Sequence, residues 1–153
     1  NIKQSRDTLK IFAYSLGAQK VDTSHHAPDI YSLCESVKFD VILLGYDLGE
    51  DKKNGQQILE ELRSKQLISR HCTIVMITAE VSQAMVLAAL EHKPDEYLAK
   101  PYTLNDLATR LERCFLKKST MLKIYQAMDT DNFQQVLDLC EKAIVTNSRY
   151  KTE

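Results

Sequence analysis

The sequence predicts an α/β fold, a parallel sheet covered by helices on both faces. Two observations carry most of that reading: FDVILLGY at 39–46 and TIVMIT at 73–78 are continuous apolar runs, the pattern of strands buried on both sides. A third is that helical stripes alternate with these runs, as right-handed crossovers between parallel strands require.

Taken in order, Ile2, Leu9, Phe12, Ala13 and Leu16 recur at helical spacing before Gly17, which reads as a helix stop. Residues 20–24 are short, polar and β-tolerant, and are expected to form a weak edge strand. Pro28 suits a helix's first turn, with Ile30, Leu33, Cys34 and Val37 as its apolar stripe. The run at 39–46 comes next, then a charged loop closed by Asn54-Gly55, and Ile58, Leu59 and Leu62 mark a third helix. After the run at 73–78, Ser82 can cap a helix that turns Met85, Val86, Ala89 and Leu90 inward. Residues 96–99 read as a short strand ending at Lys100-Pro101, and Thr103 caps a helix carrying Leu104, Leu107, Leu111 and Phe115. Beyond Phe115 the apolar register changes. Met121, Ile124, Tyr125 and Met128 form one stripe, residues 129–132 a turn, and Phe133, Val136, Leu137, Cys140, Ala143 and Ile144 the next, an αα-hairpin.

Composition narrows the function. The 153 residues allow one domain with a small appendage, and a hydrophobic share of 44% with a charged share of 27% is globular. The formal charge of −1 lacks the basic excess that nucleic acid or an anionic membrane calls for, and no apolar run approaches a span. Neither partner is therefore expected. Cys34, Cys72, Cys114 and Cys140 are scattered with no C-x-x-C pair, which points to free thiols and a cytoplasmic location. His25 and His26 are adjacent while His71 and His92 stand alone, so no metal site is expected. The four glycines make neither G-x-G-x-x-G nor a Walker loop, and no Ser/His/Asp or Cys/His set stands out, so an autonomous enzyme is not expected. Both ends of the chain read as cut.

Over about residues 1–117 the chain resembles the receiver domain of two-component response regulators. The carriers are FDVILLGYDLGE at 39–50, Asn54-Gly55, TIVMITAE at 73–80 and EYLAKPYTLNDL at 96–107. Thr78 and Lys100 are 100 − 78 = 22 residues apart, as in that family, and Tyr97 stands where the family has its switch aromatic. The resemblance implies a flavodoxin-like (CheY-like) doubly wound sheet of order 2-1-3-4-5. It also implies aspartyl phosphorylation by a sensor histidine kinase. Mg²⁺ is held by two acidic residues of the first strand, Thr78 and Lys100 bind the phosphoryl oxygens, and Tyr97 is drawn inward.

Two departures follow from the same alignment. The phosphoacceptor position falls on Gly45, which has no side chain to phosphorylate, and Asp47 is the fallback. At ~3.3 Å per strand residue, Asp47 begins about 6.6 Å from the acceptor position. The first strand, with its acidic pair, is missing from the chain given, so Mg²⁺ is expected only if that pair is present. Residues 119–150 resemble a tetratricopeptide-like repeat, which sets the expected division at 1–117 and 118–153.

The reading is a receiver module degenerate at its phosphorylation site, working by protein–protein contact in a phosphorelay with a sensor histidine kinase or another signalling protein. A homodimer through residues 85–145 is expected, helped by Met121, Tyr125 and Met128. The alternatives are a working receiver phosphorylated on Asp47 and, from another class, a small flavin-binding or hydrolytic α/β domain.

Overall fold

The structure, a computed structural model, describes residues 2–48, 53–79 and 93–146. Helix α1 (Ile2–Ser15) is closed by Gly17, whose φ of +95° suits a residue without Cβ. Helix α2 (Ala27–Ser36) starts with Pro28 in its first turn, where the missing N–H costs nothing. Strand β1 (Val41–Gly45) is followed by α3 (Gly55–Ser64). Strands β2 (Thr73–Thr78) and β3 (Glu96–Ala99) follow, then α4 (Leu104–Asp129) and α5 (Phe133–Thr146). The helix expected after Ser82 lies outside the described residues.

The three strands pair in parallel in the order β1-β2-β3, with Val41 opposite Thr73 and Val75 opposite Glu96. All six residues of β2, the central strand, are buried, as its apolar run required. Alternation along the strands separates two cores. Leu44, Ile74 and Met76 pack with Ala27, Cys34, Ile58, Leu59 and Leu62 of α2 and α3. Val75, Ile77 and Leu98 pack with Leu107 and Leu111 of α4, and with Leu9 and Phe12 of α1. Helices therefore cover both faces, the doubly wound arrangement.

Three expectations need correction. Residues 20–24 form no strand. They run unpaired, because an extended segment becomes a strand only beside a ladder neighbour and none lies there among the described residues. The inward stripe of α4 is Leu107, Leu111 and Cys114, whereas Leu104 and Phe115 are exposed. The steps of four and three place Cys114, not Phe115, over the sheet. Of the stripe beyond, Ile124 is buried and Met121 and Tyr125 are half-covered, leaving Met128 exposed.

Helix α4 runs unbroken through residues 117 and 118 and continues past the sheet. A capping box starts it: the Thr103 hydroxyl accepts from the Asp106 N–H, and the Asp106 carboxylate accepts from the Thr103 N–H at 2.8 Å. The Thr103 N–H first, and then the Thr103 hydroxyl, which donates to the same carboxylate at 2.8 Å, hold the Asp106 carboxyl below its usual range. Side chains then fasten α4 to the sheet. Arg110 and Arg113 both reach Glu96 of β3. Lys118 pairs with Asp95 at 3.1 Å and donates to the carbonyls of Arg70 and Cys72, while Asp95 accepts the Ile74 N–H at 2.8 Å. Further along, Asp129 meets His71 at 3.1 Å, and the His71 ring stands edge-on to Tyr125. Asp131, at φ 53°, turns the chain, and Asn132 accepts the Gln135 N–H to cap α5, which packs back on α4.

Candidate functional site

The carboxyl ends of parallel strands in an open α/β sheet are where ligands bind. At that edge stand Gly45, ending β1, Thr78, ending β2, and Lys100, following β3. Register fixes their relation. Gly45 lies opposite Ile77, Thr78 lies opposite Ala99, and the Lys100 N–H donates to the Thr78 carbonyl at 2.7 Å. With neighbouring strands about 4.8 Å apart, the three positions line one rim of roughly 10 Å. Thr78 is buried at 4% exposure and Lys100 is exposed. The rim thus offers a hydroxyl from a fixed floor and a cation on a long stem.

The floor beneath Gly45 is set by α3. Asn54 caps that helix reciprocally with Gln57, its side chain accepting the Gln57 N–H at 2.9 Å and its own N–H donating to Gln57 Oε1 at 3.0 Å. The Gly55 N–H donates to the Tyr46 carbonyl at 2.7 Å. A Cβ on Gly55 would stand 2.1 Å from the Gly45 carbonyl oxygen, so Asn54-Gly55 is needed for close backbone approach. At Gly45 the situation is open: a Cβ there would meet its nearest neighbours, Asp47 O and Leu48 Cδ2, at 3.4 and 3.6 Å. Asp47 is exposed on the loop beyond.

Tyr97, opposite Met76, packs into the core shared with α2 and α3 alongside Tyr46 and Leu48. Its hydroxyl is buried without a hydrogen-bond partner among the described residues. Burial first, and Tyr46 second, push its pKa up. Gly45, Thr78 and Lys100 are therefore brought to one rim, Tyr97 lies inward behind it, and Asp47 is exposed just beyond β1.

The polar clamp at the opposite end of the sheet went unread in the sequence. Lys118 and Asp95 are 118 − 95 = 23 residues apart, and His71 and Asp129 are 58 apart, so no short motif announces either pair. Among the described residues no group of three or more His, Cys, Asp or Glu side chains gathers to hold a metal ion.

The family model described as the response regulator receiver domain matches residues 2–112. The transcriptional regulatory protein KdpE of Staphylococcus aureus is 29% identical over 99 residues, covering 65% of this chain and 40% of that protein. The transcriptional regulatory protein CiaR of Streptococcus pneumoniae is 38% identical over 85 residues, or 56% of this chain and 35% of that protein. The chain thus spans well under half the length of these curated relatives. Among solved structures, a CheY-like receiver domain protein from Methanospirillum hungatei superposes with a TM-score of 0.66 at 19% identity, covering 76% of this chain and 89% of that one. A two-component response regulator from Clostridium difficile gives 0.62 at 25% identity, covering 73% and 87%.

Proposed function

The chain belongs to the response regulator receiver domain family of two-component systems, and from that premise we propose that it is a receiver that signals by protein contact and takes no phosphoryl group. Receiver domains are signalling modules that interact with sensor kinases and other signalling partners. The observation that carries the proposal is Gly45: the strand-end position beside Thr78 and Lys100 carries no nucleophile. Phosphoryl transfer needs a carboxylate in line with the donor, beside a cation that offsets the growing charge. Asp47 supplies a carboxylate two residues along, at an exposed position. Mg²⁺ demands near-octahedral oxygen ligands, and among the described residues no group of three or more His, Cys, Asp or Glu side chains gathers to hold a metal ion.

Under this proposal Thr78 and Lys100 keep an anion-binding rim, Tyr97 stays inward without a phosphoryl group to draw it there, and the partner is a sensor histidine kinase or another signalling protein. Residues 118–153 act as a tetratricopeptide-like contact surface, and the chain works as a homodimer. No helix among the described residues is long and apolar enough to cross a membrane.

Incubation with acetyl phosphate and Mg²⁺ should add no covalent phosphate by intact mass. Gly45→Asp should fold, given its ordinary contacts, yet also fail to acquire phosphate, because the nucleophile alone brings no metal. A hydroxylamine-sensitive phosphate mapped to Asp47 would overturn the proposal and establish a working receiver.

A further inference from the structure

Helix α5 carries more apolar surface than α4 covers. Val136, Leu139 and Ala143 are half-covered, the side that packs on α4, and Cys140, also half-covered, stands at its border. Phe133, Leu137 and Ile144 are 70%, 59% and 60% exposed. With Cys140 these last three follow one another at steps of four, three and four, so Phe133 and Cys140 fall on d positions and Leu137 and Ile144 on a positions of a heptad. A globular surface helix needs one apolar stripe; a second, at coiled-coil spacing, needs a second helix.

We propose that this stripe is the homodimer surface, with α5 of one copy lying antiparallel to α5 of a second. The inference rests on the homodimer reading above and gives it a place. Three features favour a second copy as the occupant. The stripe is self-complementary when inverted: Phe133 meets Ile144 of the other copy and Leu137 meets its Cys140, so large residues oppose smaller ones in every layer. The flanking e positions are Gln134 and Glu141, and inversion sets the amide of one copy beside the carboxylate of the other, with no pair of like charges. Finally, the stripe adjoins the surface already packed on α4, so pairing converts two hairpins into one four-helix bundle. A parallel pairing would instead stack Cys140 on Cys140 and Phe133 on Phe133.

The test uses the whole 153-residue chain. Light scattering should give twice the 17.5 kDa of one chain. Leu137→Glu, at an exposed position, should keep the circular dichroism spectrum and raise the dimer dissociation constant at least about ten-fold. Orientation is read by mild copper–phenanthroline oxidation. Burial first of all raises the thiol pKa of Cys34, Cys72 and Cys114, Cys72 to about 12, leaving Cys140 as the accessible native thiol. Leu137→Cys should cross-link to Cys140 of the second copy, and adding Cys140→Ser should abolish the cross-link, while the parent chain should give none. A Cys140–Cys140 cross-link in the parent would overturn the antiparallel order. A dimer that survives Leu137→Glu would remove this surface and leave the homodimer standing, and a monomer at every concentration would remove both. None of these readouts depends on whether Asp47 accepts a phosphoryl group.

Discussion

Gly55→Ala should cost the domain about 3 kcal/mol, lowering its melting temperature by roughly 6–12 °C for a chain of this size. The added Cβ would lie 2.1 Å from the Gly45 carbonyl oxygen, 3.0 Å from its carbon and 3.1 Å from the Met76 sulfur. The sulfur sits on a flexible side chain and can yield, but the carbonyl belongs to β1 and cannot move without dragging the ladder to β2. Helix propensity pulls the other way, because alanine is about 1 kcal/mol better than glycine inside a helix, and it is outweighed. Gly45→Ala is the control: its Cβ meets only ordinary contacts, so a change within about 1 kcal/mol is expected. Thermal melts of the two variants beside the parent decide the matter. An unchanged melting temperature for Gly55→Ala would mean that α3 does not start against the rim at all.

Lys118→Met should be the second large effect, about 2–3 kcal/mol by urea denaturation. Lys118 and Asp95 side chains are 13% and 23% exposed, so the loss falls below the 3–5 kcal/mol of a fully buried broken pair yet well above the roughly 0–1 kcal/mol of a surface one. The methionine keeps most of the stem's packing and removes the charge, stranding the Asp95 carboxylate and the carbonyls of Arg70 and Cys72. Adding Asp95→Asn should restore part of the loss, because the amide still accepts the Ile74 N–H without a buried charge. A single-variant cost below about 0.5 kcal/mol would reduce the clamp to an ordinary surface pair.

The sequence made the sheet legible because β1 and β2 are apolar without interruption; β2 is buried throughout as that pattern implies, whereas in β1, at the edge of the described sheet, only Leu44 is fully buried. The rim was legible for a different reason: Gly45, Thr78 and Lys100 each end or follow a strand, so placing the strands placed the residues. Residues 20–24 misled because strand propensity is local while a strand's existence depends on a neighbour. Phe115 misled because an aromatic suits either side of a helix whose inward positions run 107, 111, 114, and only the packed helix reveals the phase. The base clamp stayed hidden because Asp95, Lys118, His71 and Asp129 are ordinary polar residues whose meaning lies in the crossing of α4 beneath the strands. In the same way, Phe133, Leu137 and Ile144 read as part of one core stripe until α4 was seen to cover only its flank.

The unbroken course of α4 bears on how such a chain can be divided. A protein shortened after residue 117 would lose the last 129 − 117 = 12 residues of that helix, and with them Lys118, Tyr125 and Asp129. The severed receiver would present Asp95 and the Cys72 carbonyl to solvent at a raw edge, and His71 would face water. The sheet and the full length of α4 therefore belong together. A gene fusion or recombination event that grafted a foreign segment at that point would have to carry its own lysine for Asp95, so a working junction belongs beyond Asp129, where α4 ends.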